Sequence, residues 1–239
     1  MNVSVAMATY NGQDFLIEQI DSIINQLGAQ DELVISDDGS TDNTIEIINH
    51  YLKDDRVKLY KNPDRGVIKN FENAINKTQN EIIILSDQDD VWLPNKVKYI
   101  KNEFNDNKSK LIVTSAKRVN SDLEEFEIDS IYNRSWQKGV IRNFVKNTYI
   151  GCCMAFDRTL LDKILPFPSN IPMHDVWIGL LAELNEIEIK YIEEPLILYR
   201  RHGNTATNNH RSKFKKIVYW RVNLFINLFR RIRKLQGGS

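Results

Sequence analysis

The first 90 residues alternate short apolar runs with amphipathic stretches, and each apolar run stops at a polar or acidic turn. Val3 to Ala8, Leu33 to Ser36, Val57 to Tyr60 and Glu81 to Leu85 read as strands. Short runs rich in branched apolar residues and bounded by turn formers suit strands buried on both faces. Between them Leu16, Ile17, Ile20, Ile23, Ile24 and Leu27 recur at helical spacing, as do Ile45, Ile47, Ile48 and Leu52, then Val67, Phe71, Ala74 and Ile75. Strands alternating with helices imply parallel neighbours joined by right-handed crossovers. The expected fold class is therefore α/β, with a Rossmann-like, mostly parallel central sheet flanked by helices.

The pattern continues less regularly beyond residue 90. Pro94 suits the first turn of a helix carrying Val97, Ile100 and Phe104, and Leu111 to Val119 reads as a further strand. From Asn120 to Lys138 the periodicity fails, and an irregular segment is expected. Tyr149 to Phe156 reads as a strand. Pro166, Pro168 and Pro172 force a loop before a helix starting near Asp175, and Ile187 to Tyr191 and Leu196 to Tyr199 read as two late strands. The two cysteines, Cys152 and Cys153, are adjacent, too cramped for a routine bridge and without zinc-site spacing, so they read as reduced strand residues. At 239 residues the chain is long enough for a full core, and neither a repeat nor a linker divides it. Met1 to Ala6 starts a strand rather than a basic leader, which points to a cytosolic location.

The formal net charge of zero conceals an asymmetry. After Glu194 no acidic residue follows, whereas Arg200, Arg201, Arg211, Lys213, Lys215, Lys216, Arg221, Arg230, Arg231, Arg233 and Lys234 do. Such a tail meets an anionic surface, either nucleic acid or lipid. Phe214, Ile217, Val218, Trp220, Leu224, Phe225, Leu228, Phe229, Ile232 and Leu235 give the same stretch helical periodicity, interrupted by polar residues. It is too polar to span a bilayer and suits a helix lying in a membrane surface, or one packed on the domain or on a second copy.

The chemistry concentrates in Ser86-Asp87-Gln88-Asp89-Asp90, which follows the strand Ile82 to Leu85. Ligands of open α/β sheets bind beyond the carboxyl ends of the strands. Three carboxylates there require either a divalent cation or surrounding Lys and Arg; alternatively Asp87 and Asp90 cap a turn. No G-x-G-x-x-G follows the first strand and no G-x-x-x-x-G-K-[ST] occurs anywhere, which removes the main support for dehydrogenase and P-loop readings.

Ala8-Thr9-Tyr10-Asn11-Gly12 after the first strand, Ser36-Asp37-Asp38-Gly39-Ser40 after the second and Asp87-Gln88-Asp89-Asp90-Val91-Trp92 after the fourth resemble family 2 glycosyltransferases of the GT-A fold. His174-Asp175-Val176-Trp177 falls where that family carries its catalytic acid residue. The resemblance covers roughly residues 1–205 and is strongest to bacterial enzymes building O-antigen, capsule and rhamnose-containing polysaccharides. It implies a catalytic domain over residues 1–210, with a nucleotide-binding half (1–110) and an acceptor-binding half (111–210), followed by the basic amphipathic helix (211–239). It further implies that Thr9, Tyr10, Asn11, Asp37, Asp38, Lys69, Asn70 and Asp87 bind the nucleotide, Asp38 taking the imide N–H of uracil or thymine. Asp89 becomes the ligand of Mn²⁺ or Mg²⁺, with His202 a second candidate, and Asp90 structural. Arg201, His174 and Trp92 become candidates for diphosphate or acceptor contacts.

Asp175 becomes the catalytic base of an inverting transfer from a UDP- or dTDP-sugar to a sugar hydroxyl, although its place in a first helical turn equally suits a cap. The family often has Glu-Asp where this chain has His174-Asp175. A lipid-linked acceptor would give the basic helix a role at the inner face of the cytoplasmic membrane, with a homodimer as its alternative use and no nucleic acid as partner. The rival readings are a non-catalytic nucleotide-sugar-binding protein and a glycoside hydrolase.

Overall fold

The computed structural model describes residues 1–104, 110–125, 136–202 and 214–237. The first half follows the alternation read from the sequence: β1 (Val3–Thr9), α1 (Leu16–Ile24), β2 (Glu32–Asp37), α2 (Thr44–Tyr51), β3 (Val57–Lys61), α3 (Val67–Lys77) and β4 (Ile82–Ser86). Next come a two-residue strand β5 (Val91–Trp92), α4 (Lys96–Glu103), the long β6 (Lys110–Val119) and a short α5 (Val140–Val145). β7 (Met154–Asp157), α6 (Leu161–Ile164), α7 (His174–Leu184), β8 (Glu188–Arg200) and α8 (Phe214–Gln236) complete the order.

One sheet holds these strands in the order β3-β2-β1-β4-β7-β6-β8-β5. β1 pairs in parallel with β2 and β4, β2 with β3, and β6 with β8. β7 runs antiparallel to both β4 and β6, and β5 antiparallel to β8. The alternation of side chains along a strand divides the core between the two sheet faces. Val3, Val5 and Met7 of β1 meet Leu16, Ile20 and Ile23 of α1, with Ile100 of α4 in the same layer. Ala6 and Ala8 point the other way, where Phe71 of α3, Trp177 of α7 and Leu224 of α8 close the second layer.

Several local expectations are corrected. Gly151 to Cys153 form a 3-10 turn rather than strand, and both buried cysteines are free thiols on it. The two late strands are one, β8, whose pairing with β6 slips at Thr114/Ser115 and Ser115/Lys117, so a bulge stands where a break was expected. Pro94 lies in the turn before α4. Most of the segment expected to be irregular, including Phe126 and Ile131, lies outside the described residues, as do Arg211 and Lys213.

The C-terminal helix is docked on the domain. Leu224 and Leu228 enter the core beside Trp177. Asn223 and Asn227 bracket Asn170 through hydrogen bonds of 2.7 and 2.8 Å. Arg231 donates to the carbonyls of Lys163, Leu165 and Pro166 and lies over the Trp177 ring. Among the described residues no helix is long and apolar enough to cross a membrane.

Candidate active site

The chain leaves β4 at the centre of the sheet and re-enters at its far edge as β5, so residues 87–90 cross the sheet edge formed by the carboxyl ends of β4, β6 and β8 and the amino end of β7. Gln88 ties this crossing to the loop after β1. Its side-chain amide accepts from the Tyr10 N–H (2.8 Å) and donates to the Tyr10 carbonyl (3.0 Å), reproducing one rung of a sheet ladder. Gly12 permits the approach: a Cβ there would stand 2.3 Å from Gln88 Oε1.

Two buried basic residues of the fold, Arg200 and Lys96, stand beside the acidic loop. Arg200, buried at the end of β8, donates its backbone N–H to Asp90 Oδ1 (3.0 Å) and its Nε to the Asp89 carbonyl (2.8 Å), and its guanidinium also reaches Ser121 and Glu18. Lys96, fully buried, stands 3.9 Å from the centre of the Trp92 ring and donates to the Cys152 carbonyl at 3.0 Å. Burial pulls its ammonium down to about 8, against the attraction of Asp90 and Asp87. Asp90 is fully buried; burial and the Asp89 charge push it up to about 8, and its Oδ2 has no partner among the described residues. Desolvation, then the charges of Asp90, Asp89 and Asp175, hold Asp87 well above the usual carboxylate range. Ligand atoms of Asp87, Asp90 and Cys152 lie within 4.8 Å of one another. Asp89 Oδ2 meets His202 Nε2 at 2.8 Å, and the imidazole leans on Phe15. The two residues expected to share a cation, Asp89 and His202, are thus adjacent though 113 positions apart in the chain.

Asp175 lies in the first turn of α7, behind the Met173 N-cap, and is 9% exposed. Burial pushes it up to about 7, against hydrogen bonds from the Val176 N–H and the Asn147 side chain. Asn147 is itself fixed: its Oδ1 accepts from the Tyr149 N–H (3.0 Å), and its Nδ2 reaches the Tyr149 carbonyl (3.1 Å) and Asp175 Oδ1 (3.3 Å). Tyr149 is anchored in turn to Glu183 on α7 by a 2.7 Å bond.

Other expected contacts are redirected. Thr9 is buried and donates to Asp37 Oδ2. The Asp37 carboxylate also accepts from the Gly39 and Ser40 N–H groups and the Ser40 hydroxyl, so it supports the loop after β2. Asn11 Oδ1 accepts from the Thr41 N–H (2.8 Å). Asn70, buried, donates to the Thr9 carbonyl. Lys69 is held by Glu72 (2.6 Å) and the Phe167 carbonyl (3.2 Å). Trp92 is packed under Lys96. The His174 ring stacks on Phe71 with centroids 4.0 Å apart and presses on Gly151; burial pulls it down to about 3, so it is a neutral core group and not a diphosphate contact. Tyr10, 51% exposed, and the partly exposed Asp38, Asp87, Asp89, Arg201 and His202 remain at the surface of the site. Asp38 accepts from Asn62 (2.8 Å) and the Gly66 N–H (2.9 Å), which fixes its plane and leaves one lone pair on each oxygen.

Sequence reasoning missed Gln88, Lys96, Asn147 and Arg200. Gln88 was visible inside the acidic motif and Arg200 beside Arg201, whereas a Lys two positions after a proline and an Asn in a loop carry no signal of their own.

A parallel half, a carboxylate loop crossing at its end and a second carboxylate at the head of a helix in the other half are arranged on a GT-A-like fold. The family model described as "Glycosyl transferase family 2" matches residues 4–165, and the chain belongs to that family. It is 28% identical over 231 residues to the dTDP-rhamnosyl transferase RfbG of Shigella flexneri, covering 88% of this chain and 78% of that one. It is also 28% identical over 188 residues to the Escherichia coli protein WfgD, a UDP-Glc:alpha-D-GlcNAc-diphosphoundecaprenol beta-1,3-glucosyltransferase, covering 77% and 71%. Among solved structures, S. aureus TarS 1-349 in complex with UDP-GlcNAc superposes with a TM-score of 0.75 at 19% identity, over 97% of this chain and 69% of that one. The mannosyltransferase PcManGT of Pyrobaculum calidifontis, in complex with GDP-Man and Mn²⁺, gives 0.62 at 20% identity, over 85% and 57%.

Proposed function

We propose that the chain is an inverting, metal-dependent transferase that moves a hexosyl or deoxyhexosyl residue from a UDP- or dTDP-sugar to a sugar hydroxyl of a lipid-linked precursor of a bacterial surface polysaccharide. The observation that carries this reading is the gathering of Asp87, Asp90 and the His202-paired Asp89 in the loop after β4, with a second buried carboxylate, Asp175, held by Asn147 at the head of α7. Such an arrangement sets a donor-binding carboxylate group beside a base for the acceptor. The names of RfbG and WfgD support the two donor nucleotides, and that of WfgD the lipid-linked acceptor.

The donor set fits a hard divalent cation. Asp89 with His202, and Asp87 beside the unpartnered oxygen of Asp90, offer carboxylate and imidazole ligands of the kind that Mn²⁺ or Mg²⁺ takes. These residues would hold such a cation, which would supply charge neutralisation for a departing diphosphate. The protein's own groups do the rest. Asp38, held in plane by Asn62 and Gly66, accepts an imide N–H. Asp175 takes the proton of the acceptor hydroxyl as that oxygen attacks C1 opposite the diphosphate, a single displacement that inverts the anomeric centre. Its proximity to pH 7 makes it a stronger base than an ordinary aspartate.

A donor screen with UDP- and dTDP-sugars, with Mn²⁺, Mg²⁺ or EDTA, following nucleoside diphosphate release and product configuration, tests the proposal. We expect release that chelation abolishes and an inverted product. A retained configuration, or full activity in EDTA, overturns the corresponding part. Divalent-dependent binding of UDP or dTDP distinguishes this reading from a hydrolase.

A further inference from the structure

The apolar residues of α8 do not form one face. Leu224 and Leu228 turn inward, whereas Val222, Phe225, Ile226 and Phe229 project outward, Phe225 being 62% exposed. The outward strip continues onto α5. Phe144 meets the Phe225 ring edge-on with centroids 6.4 Å apart, Arg221 donates to the Val145 carbonyl, and Ile141 and Val145 are 81% and 67% exposed. A contiguous apolar surface built from two elements, one of them already docked through its other side, calls for an occupant.

Charge selects that occupant. Exposed Lys215 and Lys216 flank one end of the strip and Arg230, Arg233 and Lys234 the other, while exposed Lys138 and Lys146 flank α5 and exposed Arg142 lies on it. Neither residues 136–150 nor α8 contain an Asp or Glu. A second copy seated on this face would bring like charges together, which disfavours self-association. Nucleic acid leaves the aliphatic part of the strip, Val222, Ile226, Ile141 and Val145, without a partner. A bilayer with anionic headgroups satisfies both parts, taking the aromatic and aliphatic side chains at the acyl boundary and the Lys and Arg at the phosphates. The position is also apt. Val145 lies two residues before Asn147, which bonds Asp175, and Asn170, bonded by Asn223 and Asn227, lies five residues before Asp175.

We propose that the outward face of α8, continued by α5, is a docking surface for an anionic lipid bilayer that sets the mouth of the site against the membrane. Its use in presenting a lipid-borne acceptor rests on the function proposed above; the surface itself does not. Truncating the helix is a poor test, because Leu224 and Leu228 belong to the core. The full chain is instead compared with F225D/F229D and with K215E/K216E by sedimentation with vesicles of phosphatidylglycerol and phosphatidylcholine in equal parts, and of phosphatidylcholine alone.

We expect binding to the mixed vesicles that weakens at high salt, a loss of at least tenfold in F225D/F229D and a smaller loss in K215E/K216E. Melting temperature and nucleoside diphosphate release should remain unchanged in both. Equal binding by F225D/F229D and wild type overturns the proposal. So does a wild-type dimer by light scattering that this variant dissociates, with vesicle binding absent. Vesicle binding without any sugar transfer would instead refute the proposed reaction and leave the surface standing.

Discussion

Asp175→Asn should stabilise the protein while it abolishes transfer. In the folded chain burial raises this carboxyl from an ordinary value of 3.8 to about 7. The native state therefore holds a proton that the unfolded chain releases, and stability falls as pH rises from about 4 to about 7. The shift of about 3 units, at about 1.4 kcal/mol each, gives a penalty on the order of 4 kcal/mol above pH 7. Asparagine keeps the Oδ1 that accepts from Asn147 and Val176 and carries no charge to desolvate. At pH 8 the variant should melt on the order of 10 °C above wild type, by a conversion of roughly 2–4 °C per kcal/mol for a domain of this size. At pH 5 the gap should narrow to less than half, and near pH 4 it should close. Transfer at pH 8 should fall by roughly 10² to 10⁴, the usual worth of a positioned general base. Calorimetry across the pH series and a coupled assay of nucleoside diphosphate release in the presence of acceptor supply both readouts. A variant that melts at or below the wild-type temperature at pH 8 refutes the burial argument, and one that transfers at the wild-type rate removes Asp175 as the base.

Asn147→Ala deletes a hydrogen bond that favours the ionised Asp175, so the midpoint of the rising limb of the pH–rate profile should move upward, with little change in the KM of the donor. Gln88→Leu removes both bonds to the Tyr10 backbone and should raise the donor KM several-fold with a smaller effect on kcat, measured by initial rates over donor concentration. Arg200→Ala keeps the backbone bond to Asp90 but deletes the side-chain bonds to the Asp89 and Ser121 carbonyls and to Glu18, and should cost on the order of 1–3 kcal/mol in urea unfolding. Leu224→Ala opens a cavity beside Trp177 and should cost about 2–5 kcal/mol, a loss that a helix lying only on lipid would not show in vesicle-free buffer.

The alternation of apolar runs over the first 90 residues was enough to place β1 to β4 and their helices, because period and length are local properties and strands buried on both faces tolerate little else. The acidic motif after Leu85, Asp38 after β2 and Asp175 at the head of α7 were legible for the same reason: each sits next to the element that positions it. Cys152 and Cys153, by contrast, read as strand but form a turn, since small apolar residues suit both and only the pairing of β7 with β4 and β6 fixes where the strand begins.

The roles of polar side chains depended on partners far along the chain. Thr9, Asp37 and Lys69 carry groups fit for a ligand, yet each is engaged by a neighbour that the fold supplies, and His174 is taken into the core by Phe71. Arg200 came to hold the backbone of the acidic loop, and Lys96 to stand near Asp90 and Asp87, through packing alone. The sequence by itself determined that α8 would be helical, basic and rich in apolar residues. Only the tertiary structure decided which of those residues entered the core and which faced outward. A helix ringed by apolar residues has no unique inner face until Leu224 and Leu228 find Trp177 and Asn170 finds its two asparagines.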